Sequence, residues 1–220
     1  VGFDPSPPFL WDAIDGYQFI EDLINPNDPH LGKYEFIGPT EINMSGKIVL
    51  AGLVIDESTS WINWESEAFQ LNIHDGELEN LGNLDESHSA SPYAINENGE
   101  IVGASSPADY ITDPGVGFIW TVSSGMRDLN SLIHPTDPLI NSVRIYMAVD
   151  INNHGQIAAN GLVNNNYMGM ILTPVEGSGV GTLKSIPLPF FAVLLLGSCI
   201  VVIAYRKMSV TDTNIDSVKH

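Results

Sequence analysis

The sequence predicts an all-β, propeller-like repeat array of about three blades, followed by one C-terminal transmembrane helix. Two observations carry that expectation. A segment with a Phe-led strand and an Asn-x-x-Gly turn occurs three times, with Phe at 9, 69 and 118 and the turn Asn at 43, 96 and 152. The Phe spacings are 60 and 49 residues and the Asn spacings 53 and 56, which marks one structural unit copied with loop insertions. The second observation is the charge-free run IPLPFFAVLLLGSCIVVIAY over residues 186–205, closed by Arg206-Lys207.

Within each copy the residues read as short strands. Phe9-Leu10-Trp11, Phe69-Gln70-Leu71 and Phe118-Ile119-Trp120 alternate, so two large apolar side chains share one sheet face. Gly16, Gly76 and Gly125 mark a turn, and the following strand is expected to end at Asp22-Leu23, Asn80-Leu81 and Asp128-Leu129. Connections of variable length come next, long in copies one and three. The elements Asn43…Gly46, Asn96…Gly99 and Asn152…Gly155 then give a type I turn with a glycine bulge, because Asn bonds its own backbone two residues on and Gly accepts positive φ. Flanking strands bring the count to about four per copy, the content of one blade. Met170-Ile171-Leu172-Thr173-Pro174 matches the Phe-led strand and begins a fourth unit.

The chain therefore divides into a loop over 1–8, the β-repeat domain over 9–174 and a Gly/Ser-rich linker over 175–185. A transmembrane segment over 186–205 and a cytoplasmic tail over 206–220 follow. Twenty helical residues rise about 30 Å, the thickness of the bilayer's hydrocarbon core. Pro187 and Pro189 suit a first helical turn. Arg206 and Lys207 act as the membrane stop and stay cytoplasmic, which puts the repeats outside. The opposing reading is a buried helix of a soluble protein. An outward-facing domain needs an export signal, and Val1 follows none, so we expect a longer precursor carrying that signal and further copies.

Of 220 residues, 27 are acidic and 8 basic. Residues 1–185 hold 25 of those acids and five of those basics, so the repeats carry five minus 25, a net of −20. Such a surface repels phosphate backbones and anionic lipid, which excludes nucleic acid as partner. Cys199, alone of its kind, lies in the apolar run, so the repeats have no disulfide. Leu196-Gly197-Ser198-Cys199 has the form of a lipoprotein processing box, but such a box ends an N-terminal signal; Cys199 is read as a small apolar membrane residue.

At these residues the chain resembles the HAF family of bacterial extracellular repeats. The match is best at Tyr93-Ala94-Ile95-Asn96-Glu97-Asn98-Gly99-Glu100-Ile101-Val102-Gly103 and covers residues 9–174. Copies one and three depart from it, with Val-Leu-Ala and Ala-Ala-Asn where the family has Val-Gly. The resemblance implies no catalytic residue. The tail resembles PEP-CTERM sorting signals recognised by exosortases, through Ile186-Pro187-Leu188-Pro189, the apolar run and Arg206-Lys207. Such signals end at the basic cluster, whereas this chain continues for 13 residues, which favours a retained anchor. The resemblance implies a Gram-negative source.

The search for chemistry yields no catalytic residue and no cofactor. Six histidines show no metal-ligand spacing. Asp150-Ile151-Asn152-Asn153-His154-Gly155 has part of a calcium-loop pattern without its closing Glu, and hairpin geometry explains it better. The 25 acids offer too many carboxylate pairs to choose among, and Ser87, Ser89 and Ser91 lack a nucleophile elbow. Trp11 and Trp120 occupy equivalent core positions. Trp61 and Trp64, in an insertion, are the candidate ligand contacts: exposed, they would stack on sugar or protein; buried, they would cover a blade edge. The leading expectation is a non-catalytic binding module, membrane-anchored or surface-sorted, with an unknown protein or glycan as partner and a sorting protease possible. A polysaccharide hydrolase or lyase and a calcium-dependent adhesive or matrix protein are the alternatives.

Overall fold

A computed structural model describes residues 7–55, 62–85, 88–107, 115–175, 183–187, 193–196 and 199–202. Within these the chain is almost entirely antiparallel β-structure, as the alternating apolar pattern requires. Three meanders each form a four-stranded sheet. The first sheet contains β3 (Tyr34–Ile42), β4 (Lys47–Ile55), β5 (Ile62–Asn72) and β6 (Leu78–Gly82). The second contains β7 (His88–Ile95), β8 (Ile101–Pro107), β9 (Val116–Thr121) and β10 (Gly125–Asp128). The third contains β11 (Val143–Ile151), β12 (Ile157–Val163), β13 (Asn166–Pro174) and β14 (Leu183–Pro187). Two hairpins flank them, β1 (Phe9–Asp12) with β2 (Gly16–Phe19), and β15 (Val193–Leu196) with β16 (Cys199–Val202).

The sheets are out of phase with the sequence copies. The Asn-turn hairpin supplies the first two strands of each sheet, and the Phe-led strand is its third. Registry confirms the equivalence: Phe69 pairs with Leu50, Phe118 with Gly103 and Met170 with Ala159, each partner four residues after a turn glycine. One copy thus contributes the outer pair of one sheet and the inner pair of the next. The same registry corrects the alignment of copy one. Phe19 pairs with Phe9 as Asp128 pairs with Phe118 and Asn80 with Phe69, so Phe19-Ile20, not Asp22-Leu23, holds the Asp-Leu position. Ile20 is buried like Leu81 and Leu129, whereas Asp22 and Leu23 fall in a one-turn helix, α1 (Ile20–Leu23). In copy three the corresponding turn is 3-10, Leu129–Leu132.

Successive sheets stack face to face through three apolar cores. Ile20 of α1 and Ile24 just after it cover Phe36, Ile48, Leu50, Phe69 and Leu71 of the first sheet. Val49, Ala68 and Leu81 of the first sheet meet Ile95, Ile101, Phe118 and Trp120 of the second. Ala94 and Val102 of the second meet Ile145, Ile157, Met170 and Leu172 of the third. The inner strand β7 lies against β4 and β5, and β11 against β8 and β9. These inner strands are sheet edges, and each carries a bulge (Ile37/Glu41, Pro92/Ala94, Ala148/Asp150), which blunts an edge that would otherwise pair indiscriminately.

Each sheet also places one glycine beneath the large side chain of its third strand. A Cβ at Gly103 would sit 2.7 Å from the Phe118 ring; Gly52 stands in that relation to Phe69, and Gly161 to the Met170 terminal carbon. The departures in copies one and three are therefore compensated two residues later: Leu50 and Ala159 replace the first-position glycine because Gly52 and Gly161 make the room.

The described sheets do not close into a propeller ring, as three blades alone would not. Two expectations change at this level. The linker expected over 175–185 supplies Leu183 to Ser185, and the expected span supplies Ile186 and Pro187, to β14, which pairs with β13. No helix among the described residues is long and apolar enough to cross a membrane. Within 186–205 the described backbone is extended, Val193–Leu196 pairing with Cys199–Val202, as suits its β-branched content. The stop residues Arg206 and Lys207 lie outside the described residues.

Candidate functional site: the two ends of the array

The six turn residues come together at one end of the stack. Gly46, Gly99 and Gly155 adopt φ of +75°, +76° and +70°, the left-handed region the turns demand. The Asn side chains cap their own turns: Asn43 Oδ1 accepts the Lys47 N–H (3.0 Å), Asn96 Oδ1 that of Glu100 (2.9 Å) and Asn152 Oδ1 that of Gln156 (3.0 Å).

The amide nitrogens do something the sequence reading missed. Asn43 Nδ2 donates to the backbone carbonyl of Asn96 (3.1 Å), and Asn96 Nδ2 donates to that of Asn152 (3.0 Å). A ladder of asparagines thus runs from sheet to sheet. A parallel relay joins the next position, since the Met44 N–H donates to the Glu97 carboxylate and the Glu97 N–H to Asn153 Oδ1. The available signal was residue choice. Asp or Ser would cap a single turn equally well, yet all three copies use Asn, whose amide nitrogen can donate while its Oδ1 caps the turn.

Glu41, two residues before the ladder, bridges the same interface by accepting the Ile95 N–H at 2.8 Å. Glu41 is largely exposed, so the effect is small: partial desolvation at the interface moves its pKa above the ordinary carboxylate value, the Ile95 N–H opposes that, and the Asp150 and Glu97 carboxylates add to it. A folded pKa above the unfolded one contributes stability that is present below the unfolded pKa and lost as pH rises through the folded one. Glu41→Gln keeps an acceptor for Ile95 and removes the charge. We expect a higher Tm than wild type at pH 7 and a difference that shrinks toward pH 4; thermal melts across that range check it.

The residues of the partial calcium pattern make turn hydrogen bonds. Asp150 Oδ1 accepts the Ile151 N–H, and Asn152 Oδ1 accepts those of His154 and Gln156. Among the described residues no group of three or more His, Cys, Asp or Glu is placed to hold a metal ion.

The opposite end collects the longest connections, over 20–33 and 129–142. Meander topology sends the links between second and third strands, and the links between sheets, to that end. They range from the two-residue turn Asn164-Asn165 to the stretch over 129–142. Two of them repeat a Pro-x-Asp-Pro turn: Asp28 Oδ1 accepts the His30 N–H (2.9 Å), and buried Asp137 accepts that of Leu139 (2.8 Å). Asn130 clamps the second to β11, exchanging hydrogen bonds with the Ile145 N–H and carbonyl. The 56–61 connection contains Trp61, which lies outside the described residues. Trp64 is the third residue of β5; its backbone is described and its side chain is not. Of the equivalent pair expected in the core, Trp120 is buried and Trp11 is exposed.

No family model, curated protein or solved structure matches the chain.

Proposed function

We propose that the chain is an exported, HAF-like β-repeat protein that binds a protein or glycan outside the cell through the variable-loop end of its sheets, without catalysis. The observation that supports this is topological. The Asn turns tied into a hydrogen-bonded ladder lie at one end, and the longest connections, over 20–33 and 129–142, lie at the other, an arrangement in which repeat proteins carry a binding face. Residues 186–205 serve as the anchor or sorting segment. PEP-CTERM-like processing of that segment would release the repeats to the surface.

The test displays the chain in its host with one epitope in the 175–182 stretch and another after His220. The reading expects the first epitope to be accessible from outside and the cells to retain labelled extracellular matrix. Shortening both the 56–61 and 108–115 connections to two residues is expected to weaken retention at least tenfold. Retention that is unaffected by the shortening would sink the reading.

A further inference from the structure

Among the described residues, β1 lacks the second neighbour that every later third strand has. In each four-stranded sheet the third strand pairs on both sides, β5 with β4 and β6, β9 with β8 and β10, β13 with β12 and β14. Its equivalent β1 pairs with β2 alone among the described residues. Phe9 is 51% exposed and Trp11 58%, whereas Phe118 and Trp120, at the same positions, are 0% and 7% exposed. Phe69, Leu71, Met170 and Leu172 complete the equivalence and are buried too.

Two further features lie on that side. Ile42, just before the first turn Asn, is 45% exposed, against 3% for Ile95 and 5% for Ile151. The carbonyls of Asn96 and Asn152 each accept two hydrogen bonds, one from their own turn glycine and one from the preceding ladder amide. The Asn43 carbonyl accepts only the Gly46 N–H among the described residues. Between β1 and β3 runs a groove of about 580 Å³ lined by Pro7, Phe9, Glu21, Phe36 and Pro39.

These observations have one common shape. What covers the equivalent positions elsewhere is an inner hairpin carrying an Asn-x-x-Gly turn, paired to the third strand and stacked on the next sheet. We propose that the β1 edge and the groove beside it receive a further β-hairpin of this repeat type, supplied by a repeat unit outside residues 1–220. Its second strand adds to β1 with the fourth residue after its turn glycine opposite Phe9, as at Leu50, Gly103 and Ala159. Its turn Asn donates to the Asn43 carbonyl and extends the ladder by one rung. Added backbone pairing gives such an edge its affinity, and pockets for alternate side chains give selectivity.

The probe is the chain's own hairpin sequence over 88–107, joined ahead of Val1 by a flexible linker in the full chain in detergent. Tethering supplies an effective concentration on the order of millimolar. The control fusion carries Asp in place of the two isoleucines equivalent to Ile95 and Ile101 in the added copy. The expected result is at least tenfold slower hydrogen exchange of the β1 amides than in the control. A blue shift of tryptophan emission that Trp11→Phe abolishes accompanies it. Equal exchange in the two fusions overturns the proposal. So does an unfused chain that sediments as a dimer with β1 already protected, because a second copy then holds the edge.

Discussion

Asn96→Ala is expected to lower unfolding stability by about 3 kcal/mol, the largest loss in the asparagine series. Asn96 is 3% exposed and works in four directions. Its Oδ1 accepts the Asn98 and Glu100 N–H groups, and its Nδ2 donates to the Asn152 carbonyl and the Glu100 carboxylate. Truncation leaves these groups without their partner. Asn152→Ala should cost about 1 kcal/mol, because the Asn152 amide donates only to Gln156 of its own turn. Asn96→Asp separates the two roles. It keeps the acceptors that cap the turn, loses the donor that makes the rung and sets a second carboxylate beside Glu100. Its deficit should be about 2 kcal/mol at pH 7 and shrink on acidification, since a protonated carboxyl can donate to the Asn152 carbonyl. Urea unfolding of the three variants decides the matter. Equal losses for Asn96→Ala and Asn152→Ala would show that the rung between sheets adds nothing to the turn.

Gly103→Val should be comparably damaging, at about 3 kcal/mol, for a steric reason. A Cβ there would lie 2.1 Å from the Ser91 carbonyl oxygen and 2.7 Å from the Phe118 ring. The backbone of β7 holds the first contact and the wholly buried ring the second, so neither side yields easily. Phe118→Leu in the same chain relieves only the ring contact. We expect it to recover part of the loss and leave the carbonyl clash in place. Full recovery in the double variant would place the whole effect in the ring.

The repeat period, the all-β character and the three turns were legible because they rest on local rules: alternation of apolar residues, the left-handed glycine and the Asx cap. Trp120 was read as core and is buried. The same reading failed at Trp11, since burial there depends on a neighbouring sheet and not on the strand itself. The offset of sheets against copies was hidden because a repeat can be cut at any point of its period; only strand pairing fixes the phase. The ladder was hidden for a related reason. Asn43 and Asn96 are 53 residues apart in the sequence, and no spacing rule joins a side chain to a carbonyl in another sheet. The extended pairing in the apolar run was missed because a continuous apolar stretch lacks the periodicity that separates strand from helix.

The phase offset bears on how such an array can change length over generations. Every sequence copy straddles two sheets, so recombination that adds or removes one copy, wherever its breakpoints fall within the period, adds or removes one complete four-stranded sheet. The first and last hairpins keep their sequences through such an event. Arrays of different reach can therefore descend from one another in single steps, with the same ends and the same rules at every junction.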